Sequence, residues 1–118
     1  MKIGVQIAKE YADDADTFSK KIYDVIGSGV GIIESVPAAI SIAYYTQDPN
    51  ECCLMCANLG GDTDTIGAMA TAICGAFTGY SKINPEYTEL LRVQNSETDF
   101  DEYINILKKG RELAGCGR

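Results

Sequence analysis

At 118 residues with 46% hydrophobic residues, the chain is long enough for one globular domain with a modest core. A net charge of −7 without any Lys/Arg cluster excludes a nucleic-acid-binding surface. Five cysteines, no histidine and no continuous apolar core from Met1 to Glu10 give the expectation of free thiols in a reducing cytoplasm, with no secretory leader.

In chain order the sequence reads as helix after helix. Ile3, Ile7 and Tyr11 share a face, which predicts a short amphipathic helix over Lys2–Tyr11. The acidic stretch Ala12–Asp16 breaks it, and Asp16 or Thr17 is the expected cap of the next helix. There Phe18, Ile22 and Val25 or Ile26 form the apolar stripe, and Gly27 ends it. Gly27-Ser28-Gly29-Val30-Gly31 is either a helix–helix connection or a backbone cradle for a phosphate. No strand precedes it and no Gly-Lys-Ser/Thr follows, so it does not match a nucleotide fingerprint.

Ser35 is the expected cap of a helix over Val36–Thr46, with Pro37 in its first turn and Ile40, Ala43 and Tyr44 inward. Glu34 before it is either a ligand-contacting carboxylate or an anion placed for the helix dipole. Asp48-Pro49-Asn50-Glu51 spells a capping box with Pro at the first helical position, for a helix ending near Leu59. Cys52, Cys53 and Cys56 on it lack the spacing and the fourth ligand of a zinc or iron–sulfur site, so they read as small buried hydrophobes. Asn58 either supports the following loop or simply ends the helix. Further on, Asn84-Pro85-Glu86 starts a helix to Val93 with Tyr87, Leu90 and Leu91 inward. Thr98 or Asp99 starts the last, with Phe100, Tyr103, Ile104, Leu107 and Leu113 on one face and a frayed end over Gly115–Arg118.

Between these lies Gly60-Gly61-Asp62-Thr63-Asp64-Thr65-Ile66-Gly67-Ala68. Two carboxylates and two hydroxyls follow a double glycine and open a helix over Ile66–Gly79. Hard cations such as Mg²⁺ take oxygen ligands of this kind, and glycines let the backbone turn sharply against a ligand. Asp62 belongs in the loop, Asp64 and Thr65 in the first turn, so both carboxylates can reach one site. The competing reading is that they only cap the helix. An EF-hand loop beginning at Asp62 fails, because its twelfth position is Ile73 rather than Glu. An aspartyl-phosphate enzyme would need a strand before the motif, where the sequence reads as a helix end. Along the helix, Gly67, Thr71, Gly75 and Gly79 form one stripe and Ala68, Ala72 and Ala76 another, with Ile66, Met69, Ile73 and Phe77 as apolar bulk. That composition predicts a central helix closely surrounded by others, and it is too short to span a bilayer.

The stretch from Gly60 to the small-residue helix resembles the metal motif of the ADP-ribosylglycohydrolases, and Glu34-Ser35-Val36-Pro37-Ala38-Ala39-Ile40 resembles a second segment of that family at the expected separation. The resemblance runs roughly from Gly27 to Asn95. It implies an all-α fold, a compact orthogonal helical bundle around the small-residue helix, with residues 1–118 forming a single domain that is the C-terminal portion of the family fold. It implies Mg²⁺-dependent (or Mn²⁺-dependent) hydrolysis of an ADP-ribosyl glycosidic bond at a two-metal site, with Asp62, Asp64 and Thr65 as metal ligands. Gly29, Gly31, Glu34 and Ser35 would lie on the substrate side. The implied partners are an ADP-ribosylated protein or an ADP-ribose-containing small molecule, with no nucleic acid and no membrane. The family's upstream Thr-Asp-Asp motif is absent: Asp13-Asp14 is the one adjacent Asp pair, and Tyr11-Ala12 precedes it. Three functional readings follow: a C-terminal piece that needs an N-terminal partner or self-association, a non-catalytic helical module, and an unrelated metal-dependent phosphohydrolase.

Overall fold

The computed structural model describes residues 2–115, which form seven α-helices and no strand. They divide into two units, one ending at Ile83 and the other beginning at Asn84.

In the first unit, α1 (Lys2–Glu10) lies against α3 (Ile32–Thr46). Gly4 is buried at their crossing, where any side chain would overlap the Ser41 hydroxyl. Helix α2 (Ala15–Lys21) starts earlier than the sequence suggests. Its cap is Asp14, not Asp16 or Thr17: the Asp14 carboxylate accepts from the Thr17 amide at 3.0 Å and from the Thr17 hydroxyl at 2.6 Å. Thr17 is therefore the third helical residue, where a cap finds its donor. The chain continues as a π-helical turn over Ile22–Ile26, closed by Gly27 N–H donating to the Ile22 carbonyl at 3.1 Å. Phe18 and Ile22 are fully buried and Ile26 partly so, while Val25 stands outside. The Phe18 ring stacks on Tyr45 with centroids 3.9 Å apart.

Helix α3 also starts early, a full turn before the expected Ser35 cap. Gly31 precedes it in extended conformation without a side-chain cap, and the Ser35 amide and hydroxyl both donate to the Gly31 carbonyl, at 2.9 and 3.2 Å. Pro37 thus lies inside the helix and denies the Ile33 carbonyl its usual donor. Ile33 is 81% exposed, so water can take that carbonyl. Of the residues expected inward, Ala43 is buried, Ile40 is partly buried and Tyr44 is exposed, and Ala38, Ala39 and Ile42 complete the buried face.

Helix α4 (Pro49–Leu59) follows its signals closely: Asp48 accepts from the Asn50 and Glu51 amides at 2.8 and 3.1 Å, with Pro49 leading. Its Cys52 and Cys56 are buried with Cys74 of α5 (Thr63–Thr78), as small hydrophobes are, whereas Cys53 is exposed. Helix α5 lies against both α3 and α4. Its buried line is Ile66, Ala70 and Cys74. Gly67 lies close enough to α4 that a Cβ there would sit 3.4 Å from Cys56 Cβ. The other side is open: Ala68, Ala72, Ile73, Ala76 and Phe77 are exposed, so the helix is covered on one side instead of surrounded. After it, a 3₁₀ turn (Tyr80–Lys82) is tied to α4 by the Asn50 side chain donating to the Lys82 carbonyl at 2.9 Å. Full burial of a Phe or Ile contributes about 1.5–3 kcal/mol, against about 1 kcal/mol for a typical helix cap. Phe18, Ile22, Ile42 and Ile66 therefore outweigh the caps in holding this unit together.

The second unit holds α6 (Pro85–Gln94), capped by Asn84 on the Glu86 amide at 2.9 Å, and α7 (Phe100–Leu113), capped by Asp99 on the Glu102 amide at 2.9 Å. Both starts fall where the sequence places them. Neither helix has a buried residue: Tyr87, Leu90, Leu91, Tyr103, Ile104, Leu107 and Leu113, expected inward, are all exposed. Their pattern does define apolar faces, but this unit does not cover them. Arg92 and Asp101 form an ion pair at 3.1 Å with both side chains well exposed, a contact worth under about 1 kcal/mol. The expected frayed end lies outside the described residues from Cys116 onward.

Candidate metal centre and its supporting loop

Gly60 and Gly61 both have positive φ, 84° and 77°, and turn the chain from the end of α4 into α5. At Gly61 the demand is double, because a Cβ there would also collide with the Ser28 carbonyl and hydroxyl. That contact brings the two glycine segments together. The Asp62 amide donates to the Ser28 carbonyl at 2.7 Å, and Ser28 is buried between its glycines. Asp62 takes the N-cap position of α5, yet its side chain makes no capping hydrogen bond. Simple capping therefore does not account for it.

The Thr65 amide first, and the Asp64 amide with it, hold the Asp64 carboxyl below its ordinary 3.8. Donors at a helix N-terminus stabilise the charged form in this way. Asp64 and Thr65 are exposed and Asp62 is half-buried, so the oxygens of this cluster are open to solvent. Two carboxylates beside a hydroxyl suit a hard divalent cation. Among the described residues no group of three or more His, Cys, Asp or Glu side chains comes together for a metal.

The loop in front of α3 is fixed from its other side by Glu34, whose carboxylate accepts from the Gly29 amide at 2.8 Å. The carboxylate fills the space beside Gly27 and Gly29, where a Cβ would meet it at 2.5 and 2.7 Å. Of the four substrate-side candidates, Gly29 and Gly31 form the loop, Glu34 braces it, and Ser35 is buried with its hydroxyl turned to the Gly31 carbonyl. Asn58 donates to the Leu54 carbonyl at 2.8 Å, which makes it a helix-end residue. The residue that sequence reasoning missed is Ser28. It acts through its backbone carbonyl, which no side-chain pattern announces.

An open groove of about 610 Å³ between α2, α3 and α4 is lined by Asp16, Ser19, Tyr45, Glu51 and Asn58 among others, and includes neither Asp62 nor the Gly27–Gly31 loop. Among the described residues no helix is long and apolar enough to cross a membrane.

The family model described as ADP-ribosylglycohydrolase matches residues 3–115, further in both directions than the two motifs reach. The chain is 47% identical over 113 residues to an uncharacterized protein, YegU, of Escherichia coli (strain K12), covering 95% of this chain and 33% of that protein. It is 32% identical over 101 residues to ADP-ribosylhydrolase ARH3 of Homo sapiens, covering 76% of this chain and 28% of the relative. It is 30% identical over 91 residues to ADP-ribosylarginine hydrolase Tri1 of Serratia proteamaculans (strain 568), covering 77% and 25%. The chain thus spans a third or less of the length of these curated relatives. No solved structure matches it.

Proposed function

Because the chain belongs to the ADP-ribosylglycohydrolase family, we propose that it forms the C-terminal part of a hydrolase that releases ADP-ribose from a protein side chain or a small acceptor. The observation that carries this reading is the placement of Asp62 at the N-cap and Asp64 in the first turn of α5, with the Asp62 side chain making no capping hydrogen bond.

In this reading Asp62, Asp64 and Thr65 are ligands of Mg²⁺ or Mn²⁺ in a two-metal site, and the further ligands come from a part of the fold that this chain does not carry. A bound cation there would polarise and orient ribose hydroxyls and a water. Gly29 and Gly31 present backbone to the substrate, with Glu34 and Ser35 setting the shape of their loop. The Asp62 amide and the Ser28 carbonyl keep that loop and the metal ligands in register. The enzyme would work in the cytoplasm on an ADP-ribosylated protein or an ADP-ribose-containing small molecule.

A second reading, a non-catalytic helical module, is favoured by one observation: the ligand set is partial among the described residues. Calorimetric titration of the purified chain with Mg²⁺ and Mn²⁺, alone and joined to the rest of the E. coli relative, separates the two. We expect weak or no binding by the isolated chain. The joined protein should bind the cation, release ADP-ribose, and lose both properties on Asp62→Asn. A joined protein that folds and binds no cation would sink the catalytic reading.

A further inference from the structure

Within the first unit, α3 and α5 leave a groove of about 310 Å³ between them. Ile40, Tyr44, Ile73 and Phe77 line it, the buried Cys74 lies at its floor, and no charged side chain borders it. Phe77 is 74% exposed and Ile73 45%, although the spacing of both marks them as apolar bulk on α5. Scattered apolar residues on a surface need no explanation, but a contiguous apolar groove does.

Two facts say what covers it. The matched relatives contain about three times as much chain as is present here, since the match covers 33%, 28% and 25% of their lengths. The same two helices carry the candidate site at their starts: α3 begins beside Glu34 and Ser35, α5 at Asp62 to Thr65, where the ligand set is incomplete. A body seated on α3 and α5 therefore lies along the elements whose site needs further donors. Interfaces of obligate kind have apolar, charge-depleted centres, which is the character of this groove.

We propose that the α3–α5 groove seats an apolar helical face from the part of the family fold that this chain does not carry, with Phe77 and Ile73 as its anchors. This rests on the family reading above. The groove is a core surface exposed by division of the fold.

The test compares two contexts with one pair of substitutions, Ile73→Lys and Phe77→Lys. One context is the chain alone. The other is the E. coli relative with its matched region replaced by this chain. In the chain alone the pair should shift the melting temperature by no more than about 3 °C, as substitutions at exposed sites do. In the chimera it should lower melting by about 10 °C or more, or abolish folding, because two charges would be forced into an apolar interface. Equal small shifts in both contexts overturn the proposal. So does a chimera that fails to fold with the unsubstituted segment, or an isolated chain that is a dimer dissociated by the two lysines, since a second copy would then be the occupant. A wild-type chimera that folds and still releases no ADP-ribose counts against the proposed activity and leaves the docking comparison intact.

Discussion

The amide of Asp62 donates to the carbonyl of Ser28 across 2.7 Å, so the first candidate metal ligand hangs from the loop proposed to face the substrate. The link depends on Gly61, which has a positive φ and no space for a Cβ beside Ser28. Gly61→Ala should therefore cost more than its small size suggests. The left-handed conformation alone costs a non-glycine residue about 1–3 kcal/mol, and the overlap with Ser28 adds to it. Denaturant unfolding should show the loss, and an unchanged midpoint would mean that the two loops are not held together.

Glu34 is the brace on the other side. Glu34→Ala should cost about 1.5 kcal/mol, the lower end for hydrogen bonds to a charged group, because the carboxylate is only half-buried. Glu34→Gln keeps an acceptor oxygen and should recover most of the stability. Equal losses in both variants would show that charge, and not the bond to Gly29, is what matters.

Acid should weaken the first unit through its caps. Hydrogen bonds to the side chain and amide of Thr17 hold Asp14 below its ordinary 3.8, and the amides of Glu51 and Asn50 do the same for Asp48. A depressed native value means that the contribution is complete above the unfolded value and lost as pH falls through the native one. Melting temperature should therefore fall as pH drops below about 4. Asp14→Asn combined with Asp48→Asn should flatten that limb; an acid limb of unchanged steepness would assign it to other carboxylates.

The thiols should divide by location. Cys53 is exposed and should react with a thiol reagent in the native chain, while Cys52, Cys56 and Cys74 wait for unfolding. Burial pushes Cys74 up to about 11. Mass mapping after a short exposure checks this, and early labelling of Cys56 would contradict the buried packing.

Helix starts were legible where the cap sits beside a proline at the first helical position or at the head of an unbroken apolar face, as at Asp48, Asn84 and Asp99. They were misplaced where several candidate caps compete or the cap is backbone alone. Asp14 wins over Asp16 because Thr17 answers it with both amide and hydroxyl, and α3 begins at a glycine that caps with nothing but backbone. The faces of α5, α6 and α7 were read as periodicity, which tells which residues lie together but not what lies opposite. Ile73, Phe77 and Leu107 accordingly have the pattern of a core and the exposure of a surface. At the candidate centre, the positions of Asp62, Asp64 and Thr65 around the helix start followed from the residues alone. The carbonyl of Ser28 did not.

The π-helical turn over Ile22–Ile26 accommodates one residue more than an α-helical turn would. The extra residue is taken up within the turn, so the Gly27 amide reaches back five residues to the Ile22 carbonyl as the chain leaves for the glycine loop. Substitutions at the exposed Tyr23 and Val25 should be tolerated better than a change at the buried Ile22, because what the outer positions of this segment encode is a heading.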